Sequence, residues 1–99
     1  MTVAVLQAAR RDLTDGYWFY EYQEVGLGNY FLTAIYSDLA RLTKTAGVHR
    51  RVPGTGHRVK SRQFPYLIYY RVNGNVAEVL AIIDGRRSPK WIREHLGLP

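Results

Sequence analysis

The residues with the clearest chemical potential are arginines and lysines set around one pair of strand-like runs. Arg62 stands just before Tyr66–Val72, while Arg86 and Arg87 follow Val76–Ile83. The runs are joined by Asn73-Gly74, a strong hairpin signal because both central positions of a type I′ turn need positive φ. An antiparallel hairpin turning there brings its two far ends together, and with them Arg62, Arg86 and Arg87. Arg58 and Lys60, on the preceding strand-like stretch, can join the same edge. Clustered cations of this kind suit phosphate or carboxylate binding through paired hydrogen bonds. The competing reading pairs Arg86 or Arg87 with Asp84 or Glu78. Those acids are too few to balance the group, which favours a binding edge.

Other chemistries find less support. Gly26-Leu27-Gly28 and Gly54-Thr55-Gly56 lack the strand–loop–helix setting and the following Gly-Lys-Ser/Thr of a phosphate-binding loop. His49, His57 and His95 share no metal-ligand spacing, and there is no cysteine for zinc, disulfide or thiol chemistry. No cofactor or metal is expected. The aromatic series Tyr17-Trp18-Phe19-Tyr20, Tyr22 and Tyr30 could stack on bases. Most of these rings are expected in the core instead, as are Tyr66, Tyr69 and Tyr70.

These side chains must be positioned by one domain spanning residues 1–99, which is 46% hydrophobic and 22% charged. The net charge of +6 is unevenly spread. From Asp12 to Asp38 every charged residue is acidic, and from Arg41 to Arg71 every one is basic. Arg86, Arg87, Lys90 and Arg93 form a second basic group. Such polarity suggests an anionic partner: nucleic acid, an acidic protein, or both. With neither a secretory signal nor a membrane span, the chain is expected to be soluble and cytoplasmic, with no membrane partner.

Periodicity supplies the elements. Val3–Leu6 reads as a strand and Ala8–Gln23 as a helix with Ala9, Leu13, Tyr17 and Tyr20 on one face, although Gly16 weakens it. A second helix, capped by Asn29, carries Phe31, Ile35, Leu39 and Leu42 to about Thr45. Gly47–Gly56 reads as irregular and His57–Arg62 as a strand. The nearly continuous apolar run of Val76–Ile83 suits a central strand covered on both faces. Pro89 opens a short terminal helix. The fold class is therefore α+β, in the order β-α-α-β-β-β-α, with an N-terminal antiparallel helical hairpin packed on a small, mostly antiparallel twisted sheet.

Three of these segments resemble the ParE/RelE toxin superfamily, the plasmid-stabilisation toxins. They are Gly26-Leu27-Gly28 followed by Phe31-Leu32, the run from Arg62-Gln63-Phe64-Pro65-Tyr66 through Arg71, and the run from Val79 through Asp84-Gly85-Arg86-Arg87-Ser88-Pro89 with Trp91. The resemblance implies a type II toxin held inactive by a cognate antitoxin, with operator DNA reached only through that antitoxin. RelE-like members cut mRNA on the ribosome; ParE-like members inhibit DNA gyrase. Arg62 and Arg87 match the two arginine positions that support phosphate charge in RelE-like enzymes, and Lys60 could assist. The usual acid–base residue has no clear counterpart: Asp84 stands where many relatives carry His, Trp91 does not titrate, and His95 is the remaining candidate. The Gly-Leu-Gly and Phe-Pro-Tyr segments look ParE-like. The expectation is therefore inhibition of DNA gyrase by binding, through Arg58, Arg62, Arg86, Arg87, Lys90 and Trp91. The alternatives are a ribosome-dependent endoribonuclease using Arg62, Arg87 and Lys60, or a weakly active member serving as an interaction module.

Overall fold

Apolar side chains recurring every three or four residues give each of the first two helices one stripe to bury, and the sheet supplies the surface that buries it. In the computed structural model, which describes residues 1–99, the chain runs β1 (Thr2–Val5), α1 (Gln7–Glu21), α2 (Leu27–Thr45), β2 (Arg50–Val52), β3 (Gly56–Lys60), β4 (Tyr66–Asn73), β5 (Val76–Asp84) and α3 (Pro89–His95). The strands form one sheet in the order β1-β5-β4-β3-β2. Only the β1–β5 pair is parallel. The α+β architecture matches the expectation, with one strand added.

That strand is β2, inside the segment read as irregular. Arg50, Arg51 and Val52 pair with Arg58, His57 and Gly56. Three residues, two of them arginine, carry no hydrophobic alternation, so only the register of β3 makes them a strand. Tyr70 ties the segment down from within: its hydroxyl accepts from the Gly47 amide at 2.9 Å and meets His49 Nδ1 at 2.5 Å. His57 stacks on the same ring, and its Nδ1 lies 3.0 Å from the His49 carbonyl.

Two other boundaries move. The β4–β5 turn is Gly74-Asn75, with Asn73 still paired to Val76. Gly74 alone has positive φ, so the loop is of the II′ kind, with glycine first. The second helix starts at Leu27, before the Asn29 expected to cap it. The Glu21 carboxylate does the capping from α1, accepting from the Gly26 and Gly28 amides at 3.1 and 3.0 Å. A protein carboxylate thus takes the position a bound anion would hold at that helix start.

The sheet is covered on both faces. Towards the hairpin lie Tyr66, Ile68, Tyr70, Ala77, Val79 and Ile82, packed with Ala9, Leu13, Phe31 and Ile35. On the other face Tyr69, Ala81 and Ile83 lie under Trp91, Ile92 and Leu96. Tyr69 pairs with Ala81 but Tyr70 with Val79, leaving Leu80 as an extra residue in β5. This bulge reverses the alternation midway, and so an apolar run without period 2 still serves two faces.

Gly16 is an asset of α1 rather than a weakness. A Cβ there would sit 2.6 Å from the Phe31 ring. At Gly28 it would meet the Tyr17 ring at 2.7 Å and the Tyr17 carbonyl oxygen at 2.8 Å. Glycine lets the two helices approach this closely. Gly28→Ala should destabilise the fold by about 1–3 kcal/mol, because overpacking against fixed backbone outweighs alanine's better helix propensity. Denaturant titration of the two proteins checks this.

Burial and the neighbouring His57 hold the His49 pKa below its ordinary 6.5. The unfolded chain therefore takes up the proton first as pH falls, and stability present above pH 6.5 is lost progressively below it. Thermal melts from neutral pH to below the histidine range should show this loss, and His49→Gln should flatten it.

Candidate functional site

The far end of the β4–β5 hairpin is where the sequence reading places a cationic edge. Tyr66 pairs with Asp84, and the Gly85 amide donates to the Pro65 carbonyl at 2.8 Å. Here β5 outruns β1, and α1 and α3 close around its free edge. The result is a hollow of about 200 Å³ whose charged and aromatic lining includes the acids Asp12, Asp15 and Asp84 beside Arg87, Trp91 and His95.

One stacked series crosses this hollow. The Arg87 guanidinium lies 4.4 Å above the Trp91 ring. Trp91 stacks on His95 at 4.7 Å between centroids and 10° between planes. His95 Nε2 lies 2.7 Å from Asp12 Oδ1, while the Ile82 amide donates to Asp12 Oδ2 at 2.9 Å. Three of these residues fall on α3 or the turn before it, at spacing of four. The helix begins cleanly because Ser88 Oγ accepts from the Trp91 amide at 3.1 Å and Pro89 occupies its first turn.

Burial pushes the Asp12 carboxyl up from its ordinary range, opposed by the hydrogen bonds from Ile82 and His95. Burial also pushes the Tyr66 phenol up to about 12. Near neutral pH this phenol stays protonated and cannot serve as a base. Asp84 moves the other way, held low chiefly by its hydrogen bond from Arg86. Arg86 binds it through Nε at 2.9 Å and Nη2 at 2.7 Å.

The expected site residues therefore divide. Arg87 and Trp91 come together, with exposed Lys90 on the intervening turn. Arg86 is exposed but takes the neutralised arrangement, paired to Asp84. Arg62 goes elsewhere. Its amide donates to Asp38 Oδ1 at 3.3 Å, and it lines a separate hollow of about 280 Å³ with Tyr30, Ser37, Asp38, Arg41 and Gln63. Buried Asp38 causes this diversion: it also accepts from Ser61 Oγ and binds Arg41, drawing the β3–β4 connection onto α2. Arg58 and Lys60 lie on β3, opposite Tyr69 and Leu67, so Lys60 stands one pair from the Tyr66–Asp84 end of the hairpin and Arg58 three.

The aromatic expectation needs correction for the helices. Tyr20 is buried and Tyr17 half-buried, but Trp18, Phe19, Tyr22 and Tyr30 are 48%, 51%, 83% and 54% exposed. The inward face of α1 is Ala9, Asp12, Leu13, Gly16 and Tyr20, so neighbouring rings must point outward. The strand residues Tyr66, Tyr69 and Tyr70 are all buried, as expected. Asp12 is the residue that sequence reading missed. Its signal was present: an acid in register with an apolar helical stripe must find partners if it is buried.

A helical hairpin backing a five-stranded sheet, with a basic C-terminal end, defines a small α+β class. Residues 3–89 match the ParE toxin of type II toxin–antitoxin systems, parDE, and the chain belongs to that family. Its structure is similar to a chain of the chromosomal ParDE TA system from P. aeruginosa, with a TM-score of 0.75 and 20% sequence identity over 85% of this chain and 95% of that one. At that identity the likeness shows the shared fold. No curated protein matches the chain by sequence.

Removing the Asp12 acceptor leaves the Ile82 amide buried and unpaired. Asp12→Ala should cost roughly 1–3 kcal/mol, while His95→Ala, which removes a half-exposed partner, should cost less. Denaturation midpoints of the two variants test the order.

Proposed function

We propose that this ParE-family toxin arrests growth by binding DNA gyrase rather than by cutting RNA. The observation that carries the reading is the separation of Arg62 from Arg87. Cleavage at a ribose 2′-hydroxyl needs a proton acceptor, a proton donor and cations around one phosphate. Here the two arginines line different hollows. The nearby carboxylate, Asp84, is held by Arg86. Separated arginines are better suited to gripping a broad protein surface than to stabilising one transition state.

A type II toxin implies a cognate antitoxin. In this reading the antitoxin lays an extended and helical segment across the toxin and carries the pair to operator DNA. The contact surface for gyrase comprises Arg62, Arg86, Arg87, Lys90 and Trp91, with Arg58 on the flank. No helix of the chain is long and apolar enough to cross a membrane.

One observation favours the ribonuclease as a second reading. His95, oriented by Asp12, shares the hollow of Arg87, and an oriented imidazole beside a cation is a usable acid–base group. Lys60 and Arg62 would have to reach the same phosphate from elsewhere.

Induced expression in a bacterial host separates the readings. Gyrase inhibition gives growth arrest with SOS induction and intact message, whereas ribosome-dependent mRNA cuts with no SOS response would overturn it. Arg62→Ala with Arg87→Ala should abolish the arrest while the protein still folds and binds antitoxin. The Arg62 anchor to Asp38 is a backbone one, and loss of the Arg87 stack costs only about 0.5–1 kcal/mol.

A further inference from the structure

The β2–β3 ribbon carries charges that the rest of the fold does not use. Its register sets Arg50 directly opposite Arg58. Lys60, two residues along β3, projects to the same face as Arg58. Val59, between them, packs toward the helical hairpin, and Val52, two residues after Arg50, packs on the opposite face with Tyr69 and Ile83. The three cations therefore stand on the sheet face turned away from the hairpin. None has an ionic partner, since the salt bridges of the chain involve Arg41, Arg71, Arg86 and His95. No acidic residue occurs anywhere from Arg41 to Arg71.

Like charges directly opposite one another destabilise a strand pair. An anion lying between the guanidinium groups of Arg50 and Arg58 turns that repulsion into charge-assisted hydrogen bonds. Alternate residues of a strand are roughly 6.6 Å apart, a spacing on the scale of successive phosphates along a nucleic-acid strand. The exposed aromatic rings Trp18, Phe19, Tyr22, Tyr30 and Tyr36 belong to α1, its C-cap and α2, none of them to the ribbon. Without such rings the ribbon has no platform for unpaired bases, and it offers only charge and long flexible donors. Those suit the backbone of a duplex, and a two-stranded ribbon is of a size that enters the major groove.

We propose that the β2–β3 ribbon binds the phosphate backbone of double-stranded DNA, independently of sequence, through Arg50, Arg58 and Lys60. This contact is direct. It is separate from operator recognition through an antitoxin, and it shares only Arg58 with the surface proposed for gyrase. The same charges could instead serve only to keep the edge strand β2 from pairing with other sheets, and the test distinguishes the two.

The full chain, freed of antitoxin, is titrated against a short labelled duplex of arbitrary sequence over a series of salt concentrations. The logarithm of affinity should fall with the logarithm of salt with a slope of about −2.7 or steeper, for three or more neutralised phosphates. Replacing both Arg50→Ala and Arg58→Ala should make the slope shallower by about 1.8, with a melting temperature unchanged or raised because a repulsion is gone. An unchanged slope overturns the proposal, as does a variant that self-associates while binding DNA normally. Stronger competition by single-stranded RNA or polyglutamate than by unlabelled duplex at equal charge also overturns it, assigning the ribbon to another partner. Gyrase is absent from the assay, so the result stands apart from the target reading.

Discussion

Asp12 lies buried between the three layers of the molecule, and its carboxylate joins all of them. It projects from α1, accepts the Ile82 amide of β5 and pairs with His95 of α3. The need for it arises from strand lengths. β1 pairs with β5 only as far as Val79, where the Leu6 amide makes the last contact. Beyond that point a buried backbone donor would be left without a partner, a costly state for any sheet edge. The carboxylate supplies the acceptor, and its second oxygen holds α3 across the other side. The stacked Trp91 and Arg87 are carried on that helix and the turn before it, so the shape of the hollow they line depends on Asp12 at its rear.

The same logic reinterprets the charge pattern. The acidic N-terminal half does not present an acidic face, because its carboxylates are largely consumed internally. Glu21 caps α2, Asp12 holds β5 and α3, and Asp38 holds Ser61, Arg62 and Arg41. The basic half has few such uses. The charge visible to a partner is thus more positive than the sequence-wide balance suggests.

Elements whose signal is local were legible in the sequence. Phe31, Ile35, Leu39 and Leu42 define the buried stripe of α2, and all four are buried. The β4–β5 hairpin announces itself through glycine chemistry, although the turn falls one residue later than Asn73-Gly74. Features made by distant pairing were hidden. The parallel partnership of β1 with β5 has no local mark, and β2 exists only because β3 offers it a register. Of the residues expected at the site, Arg87 lies at the hairpin's far end, since a hairpin fixes where its ends lie, and Trp91 meets it from α3. Arg62 was misplaced relative to them, because the pull of Asp38 on the β3–β4 connection spans 24 positions of sequence.

The claim that this toxin disables its target by binding, and not by cutting RNA, is most directly examined with purified components. The full chain is added to DNA gyrase and plasmid, and separately to ribosomes translating a defined message. The expected result is loss of supercoiling or accumulation of gyrase-cleaved DNA, with the message intact. Cleavage of the message on the ribosome, with gyrase unaffected, would contradict the account and make the Asp12–His95 pair the first place to look for an acid–base group.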